Sequence, residues 1–524
     1  MAGTIAALLR MAKAGFILAR EGAFALVDTE SLPPRPRAAI RLARLIEKRE
    51  IDNVGQPERL TSTLNRLGPS YIKLGQFLAT RPDIVGRKAS ETLGRLRDEI
   101  EPFPDSQARE IVEASLGKPV DDLFISFSPS IAAASIAQVH KAEIAELEGD
   151  HRPVAVKVLR PDVRRRFRRD LETFYAGARL IERLDPAARR LRPIAVVDTL
   201  NRSVAIEMDL RLEAAALSEM AEATADDEGF RVPKVEWELT ARDVVTLEWI
   251  DGIKLSDIDG LREAGHDLPE LARRLMQAFL RHALRDGFFH ADMHQGNLFV
   301  DAAGDIVAVD FGIMGRLGQA EQRFLAEILF GFIRRDYNRI AEVHFSAGYV
   351  PDRHSVEDFA QALRAIGEPI HGQKASEISM ARLLMLLFEV TELFDMQTRP
   401  ELLLVQKTMV VVEGVARTLD PQFDMWSASE PVVSEWVEWH LGPAGQIEQA
   451  AGGIGRLVSE IPRLAERAER LSAEFDRMGE KGIRLDPETI DKIGRSEAHA
   501  ARWGRVALWV IAAVAVIVGL RFIA

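Results

Sequence analysis

The sequence predicts an α+β chain of two lobes, preceded by a helical extension and followed by one apolar helix, on three observations. Short β-branched runs crowd the stretch from Leu123 to Leu159; apolar residues at helical spacing dominate from Leu268 onward; and an uncharged run, VALWVIAAVAVIVGL, fills Val506 to Leu520. At about 150 residues per domain, 524 residues exceed one folding unit, and 47% apolar residues is too many for a disordered chain. The formal net charge of −12 argues against a nucleic-acid partner, which would call for a basic face. The absence of cysteine removes disulfides, Cys-ligated zinc, iron–sulfur clusters and thiolate catalysis.

Taken in order, residues 1–110 read as the helical extension, 111–250 as the small lobe, 251–440 as the large lobe, 441–504 as a helical connector and 505–524 as the terminal helix. The first residues, MAGTIAALLRMAKAGFILAREGAFALV, are interrupted by Arg10, Lys13, Arg20 and Glu21 and lack a cleavage site, so an amphipathic helix is expected and no signal peptide, with the catalytic body cytoplasmic. Pro33, Pro34 and Pro36 break it; helical patterning resumes through Leu60, Leu64 and Leu67 to about Asp98, where Glu101-Pro102-Phe103-Pro104 stops it. Strands are expected at Leu123–Phe127, Ser135–Ala142, Val154–Leu159 and Val244–Trp249, with a helix over Val197–Glu222. Leu271, Leu275, Phe279 and Ala283 repeat every four residues until Gly287.

In the connector, Ile454, Leu457, Ile461, Leu464, Ala468, Leu471, Phe475 and Met478 alternate steps of three and four. That is the period of a coiled-coil seam, which would make a homodimer, or equally of a helix lying on the body. The 15 residues from Val506 give about 22 Å of helix, against a hydrocarbon core of about 30 Å. Counting through Ala524, with Arg521 snorkelling, gives about 28 Å, and with Trp503 and Trp509 toward one end a single membrane pass is expected over a buried core helix.

The motif that carries most chemistry is His290-Ala291-Asp292-Met293-His294-Gln295-Gly296-Asn297, followed by Asp310-Phe311-Gly312. An Asp, an Asn five residues later and a DFG Asp on the next loop form the order in which protein kinases place a catalytic base and two Mg²⁺ ligands. Phe299-Val300 and Ile306 to Val309, turning around Ala303-Gly304-Asp305, supply the hairpin between them. On this reading Asp292 orients or deprotonates the attacking hydroxyl or water, while Asn297 and Asp310 hold magnesium against the phosphates of ATP. A metal pair of His290 and His294 is set aside, because the segment between Gly287 and Gly296 reads as loop and not as a helix that would align them.

Upstream, Val154-Ala155-Val156-Lys157-Val158 places a lysine on a strand, where it would hold the α and β phosphates. Its partner should be a helical glutamate; Glu207 and Glu213 are both available, and Glu213 is the choice. These elements in this order predict a protein-kinase-like two-lobe fold. In place of a Gly-rich loop stands Ile131-Ala132-Ala133-Ala134-Ser135-Ile136-Ala137-Gln138-Val139, expected to bind ATP differently, since alanine disfavours positive φ and keeps a Cβ between backbone and phosphate.

Over roughly Leu60 to Asp420 the chain resembles the UbiB family of atypical kinases. The marks are the Ala-rich loop, Lys73-Leu74-Gly75-Gln76 within LGPSYIKLGQFLATRPDIV, Glu207-x-Asp209, and the HADMHQGN and DFG segments. The resemblance implies that the Lys73 and Gln76 segment is a lid folded over the active site, with Lys73 near Glu207, where a protein substrate would otherwise dock. No Ala-Pro-Glu follows the DFG segment within the next 40 residues, in keeping with that. Length and terminal helix are like those of the bacterial members, which implies a role in ubiquinone biosynthesis at the inner membrane, beside other enzymes of that pathway and near quinone precursors. Bacterial members often show two terminal apolar spans; this chain shows one.

The expected function is therefore a membrane-bound, Mg²⁺-dependent ATPase or phosphotransferase in support of that pathway. Its rivals are true phosphotransfer to a protein or a small hydroxylated molecule, as in the aminoglycoside and choline kinases, and a nucleotide-gated, lipid-binding scaffold. A redox enzyme lacks a dinucleotide fingerprint here. The basic cluster Arg160, Arg164, Arg165, Arg166, Arg168 and Arg169 is either a solvated helix face or a contact for anionic phospholipid headgroups, at about 1 kcal/mol per residue.

Overall fold

The computed structural model describes residues 2–21, 62–64, 66–79, 92–93, 101–146, 150–184 and 192–371, then 386, 390, 393–396 and 400–442. The chain divides into two compact units, Met1–Val437 and Glu438–Ala524, and of the second only 438–442 are described. The 454–478 seam and the terminal apolar run lie outside the described residues. Among the described residues, no helix is long and apolar enough to cross a membrane.

Among the described residues, the chain leads with helices α1 (Ala2–Arg20) and α2 (Pro69–Ala79). Residues 101–104 are non-helical, as the Pro102 and Pro104 stop requires, and a further helix that was not expected, α3 (Asp105–Leu116), starts after Pro104 and closes on Gly117 at φ 73°, whose N–H donates to Glu113 O. Next comes a one-turn helix, α4 (Val120–Leu123), then β1 (Ser126–Ala133), β2 (Ala137–Ala145) and β3 (His151–Leu159). The strand expected at Leu123–Phe127 thus begins only at Ser126. Pro119 opens a helical turn and Asp121 and Asp122 sit in it, where acidic residues favour a helix N-terminus.

Helix α5 (Val163–Leu184) is followed by α6 (Pro193–Glu207) and α7 (Leu210–Ala223). The single helix expected over 197–222 is therefore two. Asp209 breaks it: its carboxylate accepts the Arg211 backbone N–H as an N-cap, an alternative that short polar side chains offer to helical continuation. Strand β4 (Phe230–Arg231) precedes β5 (Val244–Glu248), and the small-lobe sheet has the order β1-β2-β3-β5, all antiparallel. One face of it, through Ala142, Val154, Val156 and Val158, packs with Val112, Val120 and Phe124 into a dry core.

The large lobe opens with β6 (Gly252–Lys254), α8 (Ile258–Glu263) and α9 (Leu268–Arg281). The expected stripe Leu271, Leu275 and Phe279 is buried, and the helix ends in a wide turn, His282–Asp286, closed by Gly287 at φ 61°. Gly287 is required twice, since a Cβ there would also stand 2.5 Å from Leu317 O. Strands β7 (Phe288–His290), β8 (Leu298–Asp301), β9 (Ile306–Ala308) and β10 (Met314–Arg316) follow. β8 and β9 form the expected hairpin, with Gly304 at φ 86°; β7 pairs with β10; and β4 joins β9 in parallel, tying the small-lobe chain into the large lobe. Helices α10 (Gln319–Arg334), α11 (Tyr337–Ser346), α12 (Val356–His371), α13 (Pro400–Leu419) and α14 (Met425–Leu441) complete the described residues.

Candidate functional site

Lys157 lies directly opposite Val139 on β2 and Val245 on β5, so strand alternation turns it away from the core that Val156 and Val158 enter. Its Nζ donates to Glu213 Oε1 at 2.7 Å and to Asp310 Oδ1 at 2.9 Å. Glu213 stands in the first turn of α7, so the Asp209 cap that breaks the helix also sets the phase in which Glu213 meets Lys157. Of the two candidate glutamates, Glu213 is the one beside the lysine.

Burial alone would push Lys157 down, but Asp310 and Glu213 outweigh it and hold the ammonium above its ordinary range. Burial likewise opposes ionisation of Asp310; Lys157 overrides it, helped by Lys73, and the carboxyl stays well below the usual carboxylate range. Burial raises Glu213, with Lys157 pulling the other way. Asp310 adopts φ 64°, a left-handed conformation that costs a non-glycine residue energy and turns the chain sharply after β9.

The loop after β7 is braced from within. The Asp292 backbone N–H donates to His290 Nδ1 at 3.0 Å, which leaves Nε2–H to donate to Val309 O at 3.3 Å. His290 is fully buried, and burial lowers its pKa, so it serves as a neutral strut. Asn297 Nδ2 donates to Asp292 O at 3.2 Å, and Val309 N–H to Asn297 O at 2.8 Å. Loop and hairpin thus hold Asp292, Asn297 and Asp310 in one assembly. His294 Nε2 lies 3.6 Å from Asp292 Oδ2.

The Ala-rich run is more ordered than a loop. Ile131, Ala132 and Ala133 belong to β1, Ala137, Gln138 and Val139 to β2, and only Ala134, Ser135 and Ile136 form the turn. The register faces Ala132 with Val139 on the Lys157 side, and Gln138 turns the other way. There Gln138 accepts the Phe103 N–H at 2.9 Å and bonds His140, so its amide fastens the sheet to the N-terminal region in place of lining the site. Arg160 holds the turn: its backbone N–H donates to Ile136 O and its Nε to Ala134 O at 2.9 Å.

Helix α2 reaches the same place. Lys73 Nζ and Glu207 Oε2 are 2.7 Å apart with both side chains at most 10% exposed, and Lys73 is close enough to act on the charge of Asp310. Gln76 follows Lys73 by three residues on that helix.

Several contributors have no signal in the sequence. Arg160, which in the sequence stands at the head of a basic run, buttresses the turn, as Arg164 does the α6–α7 junction through Met208 O and Asp243. Thr408 of α13 donates to Ala291 O at 3.3 Å, next to Asp292 and across 117 residues of sequence, with no local signal. Arg316 of β10 and Glu219 of α7 form a bidentate pair.

Comparison with known proteins agrees with this geometry. Residues 95–344 match the ABC1 atypical kinase-like domain and residues 363–424 the UbiB helical domain. The "Probable protein kinase UbiB" of Marinobacter nauticus is 38% identical over 412 residues, 78% of this chain and 75% of that one. Its namesake from Xanthomonas euvesicatoria pv. vesicatoria is 37% identical over 467 residues, 87% of this chain and 83% of that one. A solved structure of Rv3197 from Mycobacterium tuberculosis, described as a complex with erythromycin, superposes with a TM-score of 0.51 at 25% identity, over 76% of this chain and 98% of that one. With both domains in sequence and such relatives along most of its length, the chain belongs to the UbiB family of atypical kinases.

Proposed function

We propose that the chain binds Mg-ATP at Lys157, Asn297 and Asp310 and transfers the terminal phosphoryl group, to water or to a hydroxyl acceptor, in support of ubiquinone biosynthesis at a membrane. One observation carries the reading: a largely buried lysine shared between Glu213 and Asp310, at 2.7 and 2.9 Å, with Asp310 on the turn that follows the Asp292 to Asn297 loop and its hairpin. The donors suit the ligand. Asn297 and Asp310 offer hard oxygen atoms of the kind magnesium takes, and the Ser135 hydroxyl, at the tip of the Ala-rich turn, is buried with no hydrogen-bond partner.

When bound, magnesium supplies neutralisation of the phosphate charge. The chain's own groups do the rest. Lys157, oriented by Glu213, presents its ammonium to the α and β phosphates. Asp292, its backbone fixed by His290 and Asn297, accepts the proton of the attacking hydroxyl or water. The pathway and the membrane setting rest on the family and on the apolar run Val506 to Leu520.

The test is nucleotide binding and phosphate release by the full-length protein in liposomes. Asp310→Asn should lose Mg²⁺-dependent binding, whereas Asp292→Asn should still bind and lose about 10²- to 10⁴-fold in release. Unchanged turnover in Asp292→Asn would remove that residue from the chemistry. Quinone profiling of a strain carrying Asp310→Asn, with loss of ubiquinone and accumulation of early precursors, ties the site to the pathway.

A further inference from the structure

Helices α1 and α5 lie against each other. Arg10 pairs with Glu172 at 2.9 Å and donates to Thr173 Oγ1 at 3.1 Å. What they leave outward is unusual for a soluble surface. Among the described side chains of α1, Leu9, Ala12, Lys13, Phe16 and Arg20 are exposed, one stripe at helical spacing, with Leu9 67% and Phe16 51% exposed. On α5 the exposed side chains include Arg165, Arg166, Arg168, Arg169, Arg179 and Arg183, with Leu180 and Ile181 among them. The acids beside them are already engaged: Glu172 with Arg10, Asp162 with Arg165, Asp170 with Arg169, and Glu182 with the Ile194 N–H.

On a chain of net charge −12, this face has the opposite sign and fits an anionic partner. Its four large apolar side chains gain nothing from a purely polar polyanion. They need an apolar layer just beneath the negative charge, which is the makeup of a bilayer with acidic headgroups. We infer that the α1–α5 face is where the folded body lies on an anionic membrane, with Leu9, Phe16, Leu180 and Ile181 at the boundary of headgroup and acyl chain and the arginines at the lipid phosphates. The inference rests on the membrane setting proposed above, but its residues are separate from the terminal run.

Because the chain has no cysteine, one introduced cysteine carries a fluorophore cleanly. Full-length Phe16→Cys, Ile181→Cys, Asp352→Cys (exposed on the large lobe) and Val510→Cys (in the terminal run) are labelled and placed in nanodiscs containing nitroxide lipid. The discs are of phosphatidylcholine alone or with added phosphatidylglycerol. The expected result is quenching at positions 16 and 181 in the anionic discs, its loss in neutral discs and at high salt, and no quenching at 352. Arg165→Glu with Arg168→Glu should abolish quenching at 16 while circular dichroism is unchanged.

Quenching at 510 without quenching at 16 and 181 overturns the inference and leaves the terminal anchor standing. No quenching at 510 refutes the anchor independently. Equal quenching at 16, 181 and 352, or quenching indifferent to lipid charge, also overturns it, as does protection of 16 and 181 by soluble polyglutamate without lipid, which would assign the face to an acidic protein.

Discussion

One ammonium between two carboxylates is the smallest unit of the site, and its residues were readable because spacing alone encodes them. Asp292, Asn297 and Asp310 sit on one short loop and the hairpin after it, and Lys157 is marked by its strand. Residues that act through a backbone carbonyl, such as Arg160 and Thr408, leave no such trace, since many side-chain types can donate to a carbonyl. A buried histidine is equally silent in sequence. His344 of α11 donates from Nδ1 to Ile340 O at 2.7 Å and packs edge-on against Phe359, and burial pushes its pKa down to about 4. The unfolded chain takes up that proton near the ordinary histidine value of about 6.5, so the folded state loses stability as pH falls from there toward about 4, by about 3 kcal/mol in all. His344→Asn keeps a donor for the carbonyl and cannot be charged. Urea midpoints at neutral and acid pH should show a shallower acid decline in the variant, and an equal decline would exclude His344 as the source.

Among the elements, α7 decides whether Glu213 meets Lys157, and two contacts set its place. Asp209 caps its start, a role that the acidic pair Glu207-x-Asp209 does not announce when 197–222 is read as one helix. Further along, Glu219 grips Arg316 of β10 through two hydrogen bonds of 2.7 and 2.5 Å, and the guanidinium stacks 4.3 Å from the Phe288 ring centroid. Arg316 follows Asp310 by six residues, so the pair latches the glutamate helix to the strand after the DFG turn. With side chains 65% and 45% exposed, its yield in global stability should be at most about 1 kcal/mol. Its effect should appear in geometry. Glu219→Arg is expected to lower phosphate release severalfold with little change in thermal midpoint, and Glu219→Arg with Arg316→Glu should restore it. A double variant as impaired as the single would show that the latch does not position Glu213.

At the scale of the molecule, the two-lobe plan was legible because local patterns change from period two to period four near Leu268, whereas the seating of the N-terminal region was not. Nothing in the composition of α2 distinguishes it from a surface helix; only its likeness to the family placed Lys73 near Glu207, and the structure puts them 2.7 Å apart. This buried pair joins α2 to the last turn of α6, one residue before the junction that leads into α7. Removing one partner leaves the other charge in a poorly solvated place, which costs about 3–5 kcal/mol, while replacing both by apolar groups is far milder. Lys73→Met and Glu207→Leu should therefore each lower the urea midpoint, and the double variant should lose markedly less than their sum. Because Lys73 also helps keep Asp310 ionised, Lys73→Met should change Mg²⁺-nucleotide affinity more than Glu207→Leu does. Strictly additive losses in stability, with equal changes in affinity, would mean that α2 is held to the body by other contacts and that Lys73 has no electrostatic part in the site.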